Sequence, residues 1–163
     1  MNKIDRIGNA TPYEADYALW CAEQGALLRA GRLNALDREN LAEEIESLGR
    51  SDKREIRSRL EVLVRHLLKW EYQATKRKSG WLSTIFEQRT QLKLVLEDSP
   101  SLQGFPASQL PQMYSIARMK ARDETRLAVG TLPSDCPYSI AQILDEEFLP
   151  GLPWSPDELA EAE

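Results

Sequence analysis

The sequence predicts an all-α protein: a single-domain bundle of five to six helices with short loops, built around a long central helix over residues 51–78. Three observations predict it. Apolar side chains recur every three to four positions along most of the chain. Helix caps and stops punctuate that rhythm. Runs of alternating apolar and polar residues, which would mark half-buried strands, are missing. With 163 residues, 42% of them hydrophobic and 29% charged, the chain can bury a core without disulfides or metals.

The elements follow in order. Thr11-Pro12-Tyr13-Glu14 reads as a helix start, with Thr11 as cap, Pro12 at N1 and Glu14 completing a capping box. Tyr13, Tyr17, Trp20, Leu27 and Leu28 then share one side until Gly31. Asp37 caps a second helix whose narrow apolar stripe is Leu41, Ile45 and Leu48, with Gly49 as its stop and glutamates around the rest. The long third helix carries Ile56, Leu60, Leu63, Leu67, Trp70 and Ala74 inward and ends on Lys76-Arg77-Lys78, cations that suit the negative pole of the helix dipole. A fourth helix runs from about Trp81 to Glu97, followed by a short turn from Ser99-Pro100 to Gly104.

For the fifth helix two starts are open: Pro111 sits at its N1 position, or lies inside a helix begun near Pro106. Its spacing continues to Gly130. Ser139-Ile140-Ala141-Gln142 is a capping box that opens a short sixth helix to about Phe148. The resulting organisation is an N-terminal tail over residues 1–11, a helical domain over 12–150, and an acidic tail over 151–163 that contains Trp154 and several prolines. One loose turn after Ser155-Pro156 is all the structure expected of that tail.

Charge is unevenly distributed. Residues 1–49 carry net −4, residues 50–93 net +7 and residues 94–163 net −8, for −5 overall. A basic middle between acidic flanks is either compensated internally or held open for an acidic partner. Cys21 and Cys136 stand 115 positions apart, which is neither a metal spacing nor a disulfide framework. No uncharged apolar run reaches the length of a membrane span, and MNKIDRIGNA lacks the apolar block of a signal peptide. The expectation is a cytoplasmic protein with no membrane partner.

Glycine-rich phosphate loops, nucleophile elbows and zinc patterns are all missing, so the sequence implies no cofactor and no metal. The leading expectation is a non-enzymatic protein–protein interaction or regulatory module. Its partner is an unknown protein or a second copy, met through Tyr138, Phe148, Leu152 and Trp154, residue types that favour interface centres.

The alternative is a nucleic-acid-binding module using Arg54, Arg57, Lys69, Lys76, Arg77, Lys78, Arg89 and Lys93, although Trp70 and Trp81 fall on apolar registers that suit a core better than a stacking platform. A second alternative is an enzyme or metal site around Glu43, Glu46 and His66. A hairpin about Gly49 and Arg50 would send His66 past the start of the second helix, away from the glutamates. His66 then reads as a core or boundary histidine bonded to one partner, and the glutamates as a solvated face paired with Lys53, Arg54 and Arg57.

Tyr13-Glu14-Ala15-Asp16-Tyr17-Ala18-Leu19-Trp20, Asn40 through Gly49, His66-Leu67-Leu68-Lys69-Trp70, Glu97 through Leu102, Cys136-Pro137-Tyr138-Ser139 and Phe148-Leu149-Pro150 together resemble the bacterial family filed as domain of unknown function twenty-nine. The likeness covers roughly residues 12–150; the prolines at 106 and 111 depart from the uninterrupted helix expected there. The resemblance implies an all-helical domain in a bacterial cytoplasm and carries over no residue role.

Overall fold

A computed structural model describes residues 10–161. The N-terminal tail expected over 1–11 therefore falls outside the described residues except for its last two, and residues 162 and 163 of the acidic tail fall outside as well. The all-α expectation holds: the described residues form α1 (Tyr17–Arg29), α2 (Arg38–Tyr72), α3 (Ser79–Asp98), α4 (Phe105–Thr125), α5 (Ile140–Leu144) and α6 (Pro156–Ala160), with single 3-10 turns at Leu33–Ala35, Ala74–Lys76 and Pro100–Leu102 and no strand among them. They divide into two compact units, residues 10–51 and 52–161. The division falls inside α2, beside the point where the charge changes from acidic to basic.

In the first unit, α1 starts later than its sequence suggests. Asp16 takes the extended N-cap conformation and its carboxylate accepts the Leu19 N–H at 3.0 Å, a stronger cap than threonine offers. Thr11 is engaged elsewhere, giving its N–H and its hydroxyl to the two oxygens of Glu23, each at 2.9 Å. At the other end Gly31 is the stop expected of it. With φ at +69° it lets its own N–H reach the Leu28 carbonyl and the Arg32 N–H reach the Leu27 carbonyl, a Schellman closure. Trp20, Gln24 and Leu27 are the buried residues of α1.

Gly49 does not stop a helix. The separate helices expected over 37–49 and 51–78 are one element, α2, which passes through Gly49 and ends at Tyr72. A glycine terminates a helix only where the chain turns left-handed. Gly49 is not among the glycines of positive φ, and the helix runs on through it despite the ~1 kcal/mol that glycine costs relative to alanine. The long helix also ends six residues before Lys78, because Gln73 leaves the helical region (φ −129°, ψ 54°). The chain then doubles back so that Arg77 Nε donates to the Trp70 carbonyl at 2.8 Å, satisfying an orphaned acceptor of the last turn.

The second unit packs the 52–72 half of α2 against α3 and α4. Ile56, Leu60, Leu63, Leu67 and Trp70 meet Trp81, Ile85, Leu92 and Leu96 of α3 and Met113, Tyr114, Ala117 and Ala121 of α4 in one core cluster. Of the two starts considered for the fifth helix, the earlier is the observed one: α4 begins at Phe105 and holds Pro111 inside it. It ends at Thr125, short of Gly130, because Arg126 adopts the left-handed conformation (φ 55°).

Beyond α4 there is little regular structure, and two buried arginines organise what there is. Arg89, 3% exposed, donates from Nε to the Ile143 carbonyl and from Nη2 to the Phe148 carbonyl, both at 2.8 Å. It also reaches the Gln142 carbonyl at 3.4 Å. The last-turn carbonyls of α5 are thereby satisfied, and the helix closes at Leu144 instead of continuing to Phe148. Arg77, 7% exposed, adds the Leu152 carbonyl at 2.8 Å and lies 4.7 Å over the Trp70 ring. Trp154 meets Trp70 edge-on at 5.8 Å. The capping box of Ser155 and Glu158 then opens α6, whose Leu159 is buried.

Two stability outcomes follow. Gly49 sits in open space on a helix, so Gly49→Ala raises stability by about 0.5–1 kcal/mol in urea denaturation. Arg89→Met leaves the carbonyls of Ile143 and Phe148 without their donor and lowers stability by about 3 kcal/mol. Faster amide exchange over residues 140–160 is the accompanying signature in that variant.

Candidate functional site

Asp37 and the acidic part of α2, residues 38–51, carry three stripes separated by the 100° step of the helix. The first faces α1. Asp37 accepts the Trp20 indole N–H at 3.1 Å and the Asn40 side-chain amide at 2.7 Å, while its own N–H goes to the buried Gln24 at 2.8 Å. One turn beyond Asn40, Glu44 is held between two phenols, accepting from Tyr17 at 2.8 Å and from Tyr13. The rings of Tyr13 and Trp20 meet edge-on at 4.9 Å. The second stripe is Leu41, Ile45 and Leu48. Leu41 is half-buried, whereas Ile45 and Leu48 are 66% and 69% exposed. The third stripe is solvated acid: Glu39, Glu43 and Glu46 are exposed, and Glu46 pairs with Arg50 at 3.6 Å.

Hydrogen bonds set the ionisation of the first stripe. The Tyr13 phenol, then that of Tyr17, holds the Glu44 carboxyl below its ordinary value near 4.5. In return Glu44 pushes Tyr13 up to about 12 and raises Tyr17. The Asn40 side chain is the main cause that lowers Asp37.

Glu43 and Glu46 belong to the first unit and His66 to the second. No turn follows Gly49, and more than five turns of uninterrupted α2 stand between Glu46 and His66. His66 Nδ1 lies 2.8 Å from the Val62 carbonyl. Since a carbonyl only accepts, the proton is on Nδ1. Burial is the main cause that lowers its pKa, and the ring is neutral at pH 7. Among the described residues no group of three or more His, Cys, Asp or Glu side chains could hold a metal.

The eight cations considered for nucleic-acid contact are dispersed. Arg77 and Arg89 are buried on carbonyls. Lys69 lies between Glu124, at 2.6 Å, and the Trp81 ring, at 4.8 Å. Arg57 donates to Gln109 at 2.8 Å and lies over Phe105, and Lys93 pairs with Glu146 at 3.2 Å. Arg54, Lys76 and Lys78 are exposed. Trp70 and Trp81 are both buried. Of the aromatic and apolar residues near the C-terminus, Tyr138 is buried and donates to Glu71 at 2.5 Å, Phe148 and Trp154 are half-buried, and Leu152 alone is exposed.

Sequence reasoning did not single out Asp37 and Glu44 as the polar pins of the first unit. The signal available was Glu44 falling one turn from Asn40 on the stripe that faces α1. A carboxyl whose folded pKa is lowered stabilises the fold above its unfolded value, and that stabilisation is lost as pH falls through the folded value. Acidification from pH 5 downward therefore loosens α1 from α2, read as a rise in Trp20 solvent accessibility by fluorescence quenching. In Glu44→Gln the same transition is shallower.

No curated protein and no solved structure matches this chain. A family model does: residues 12–149, which include the Asn40–Gly49 stripes and the half-buried histidine and buried tryptophan of α2, fit the one described as domain of unknown function DUF29, and the chain belongs to that family.

Proposed function

We propose that the protein is a helical protein–protein interaction module whose contact surface is the exposed apolar stripe of α2. The observation that carries this reading is the exposure of Ile45 and Leu48, one turn apart on a rigid helix. Each gains about 1.5–3 kcal/mol on full burial, enough together to anchor a partner helix. The unit holding them is short of apolar burial: Trp20 and Leu27 are its buried hydrophobic residues, while Tyr17, Leu19, Leu28 and Leu33 are exposed beside Ile45 and Leu48. A groove-bound helix or a second copy of this stripe has the matching chemistry. Glu43 and Glu46 along the edge favour a partner that is basic at its rim.

The test is Ile45→Lys/Leu48→Lys, a change confined to solvent-facing positions. Its helicity and melting temperature match those of the wild type, while sedimentation velocity shows loss of self-association, or copurification shows loss of a specific protein. Wild-type and variant proteins that behave identically in both assays would refute the reading.

A second reading, nucleic-acid contact, keeps support from the exposed Arg54, Lys76 and Lys78. It requires an affinity that falls steeply between low and moderate salt and drops when Lys76 and Lys78 are replaced by alanine.

A further inference from the structure

Residues 94–163 carry net −8, yet they enclose one pocket whose lining contains arginine and no carboxylate. The pocket lies between the last turns of α4 and the loop after it, with a cavity volume of about 120 Å³. Ser115, Arg118 and Arg122 line it at i, i+3 and i+7 of α4, and Val129 and Gly130 close it from the loop. Arg118 is fixed in place, because its Nε and Nη2 both donate to the Leu132 carbonyl, at 3.2 and 3.0 Å. That leaves Nη1 with no acceptor among the described residues. The Arg122 guanidinium has no carboxylate within ion-pair distance among them either. The acids next to it in sequence are turned away: Glu124 is held by Arg65 and Lys69, each at 2.6 Å, and Asp123 is not part of the lining.

The loop adds donors. Ala128 to Thr131 is a turn closed by the Thr131 N–H on the Ala128 carbonyl at 3.1 Å. Gly130 stands at its third position with φ +89°, the conformation of a type II turn. The N–H groups of Val129 and Gly130 inside that turn donate to no backbone acceptor among the described residues, an arrangement that suits an anion. The Ser115 hydroxyl is committed to the Pro111 carbonyl at 3.2 Å.

We propose that this pocket binds the phosphoryl group of a small phosphate ester, with Arg118 Nη1 and the Arg122 guanidinium on its oxygens and the turn amides completing the cradle. Two guanidiniums without a counter-carboxylate match a dianion better than a monoanion. The cavity admits a group of a few heavy atoms. The small cavity suits a compact ligand over a polyanion such as nucleic acid. The proposal is independent of the stripe on α2, since every residue in it belongs to 52–161.

Inorganic phosphate is the probe, titrated into the full-length protein at constant ionic strength and followed by amide NMR shifts. The expected result is saturable shifts of Val129, Gly130 and Thr131, weakened about tenfold or more in Arg122→Gln. Arg122 is exposed, so that variant keeps the wild-type spectrum elsewhere. Acetate in a parallel titration saturates more weakly. Equal affinity for acetate would overturn the phosphoryl assignment. Unsaturable shifts, or shifts identical in wild type and Arg122→Gln, would overturn the site.

Discussion

Burying two guanidinium groups on main-chain carbonyls is the interaction on which the rest of residues 52–161 depends. After α4 the chain offers few hydrogen bonds of its own: α5 and α6 have five residues each, and the loops between them contain carbonyls that need donors. Arginine presents five N–H groups in a rigid fork. One side chain can therefore reach carbonyls several residues apart, as Arg89 does at Ile143 and Phe148 and Arg77 at Trp70 and Leu152. Burial opposes the charge and lowers both pKa values, but a guanidinium starts so high that it stays protonated. Lysine, with one compact ammonium and a lower starting pKa, could not span the same acceptors. Gly151 shows how closely the segment lies, since a Cβ there would meet Glu71 Cγ at 3.1 Å.

The same interaction explains why net charge along the sequence is a poor guide to this surface. The segment 50–93 is strongly basic by composition, but composition does not distinguish a cation facing solvent from one spent on carbonyls. The distinction was present in the register. Arg89 falls in phase with Trp81, Ile85, Leu92 and Leu96 on the buried side of α3, where a charge survives only with several acceptors around it. Arg77 carries no such mark, because it lies in a break between helices whose path depends on Trp70 and on the returning C-terminal segment.

Element identity was legible wherever a local rule decided it. The capping box at Ser139 formed as its spacing dictates, whereas the one at Ser155, where a loose turn was expected, opens a short helix; the left-handed turn at Gly31 follows from its lack of a Cβ. What misled was treating each glycine and each cap as sufficient. Gly49 has the same chemistry as Gly31, but the chain does not turn left-handed there, and a helix already formed propagates cooperatively. Thr11-Pro12 has the composition of a helix start and lost to Asp16 because Glu23, twelve residues on, drew Thr11 away. Such long-range competition is not written in any short window.

The exposed stripe on α2 acquires its meaning from the weakness of the unit that bears it. In residues 10–51 polar pins do much of what a core does elsewhere: Asp37 on Trp20 and Gln24, Glu44 on two tyrosines. A net hydrogen bond contributes about 1 kcal/mol, so such a unit belongs to the low-stability end of a structure, where local opening is cheap. Apolar side chains at positions like Ile45 and Leu48 are tolerated on a surface singly. Aligned one turn apart on a unit with so little buried area, they give a partner the means to stabilise α1 and α2 together by mass action. On the proposed reading, binding and ordering are a single equilibrium, with a partner supplying the apolar contact that the sequence places on the outside of its own helix.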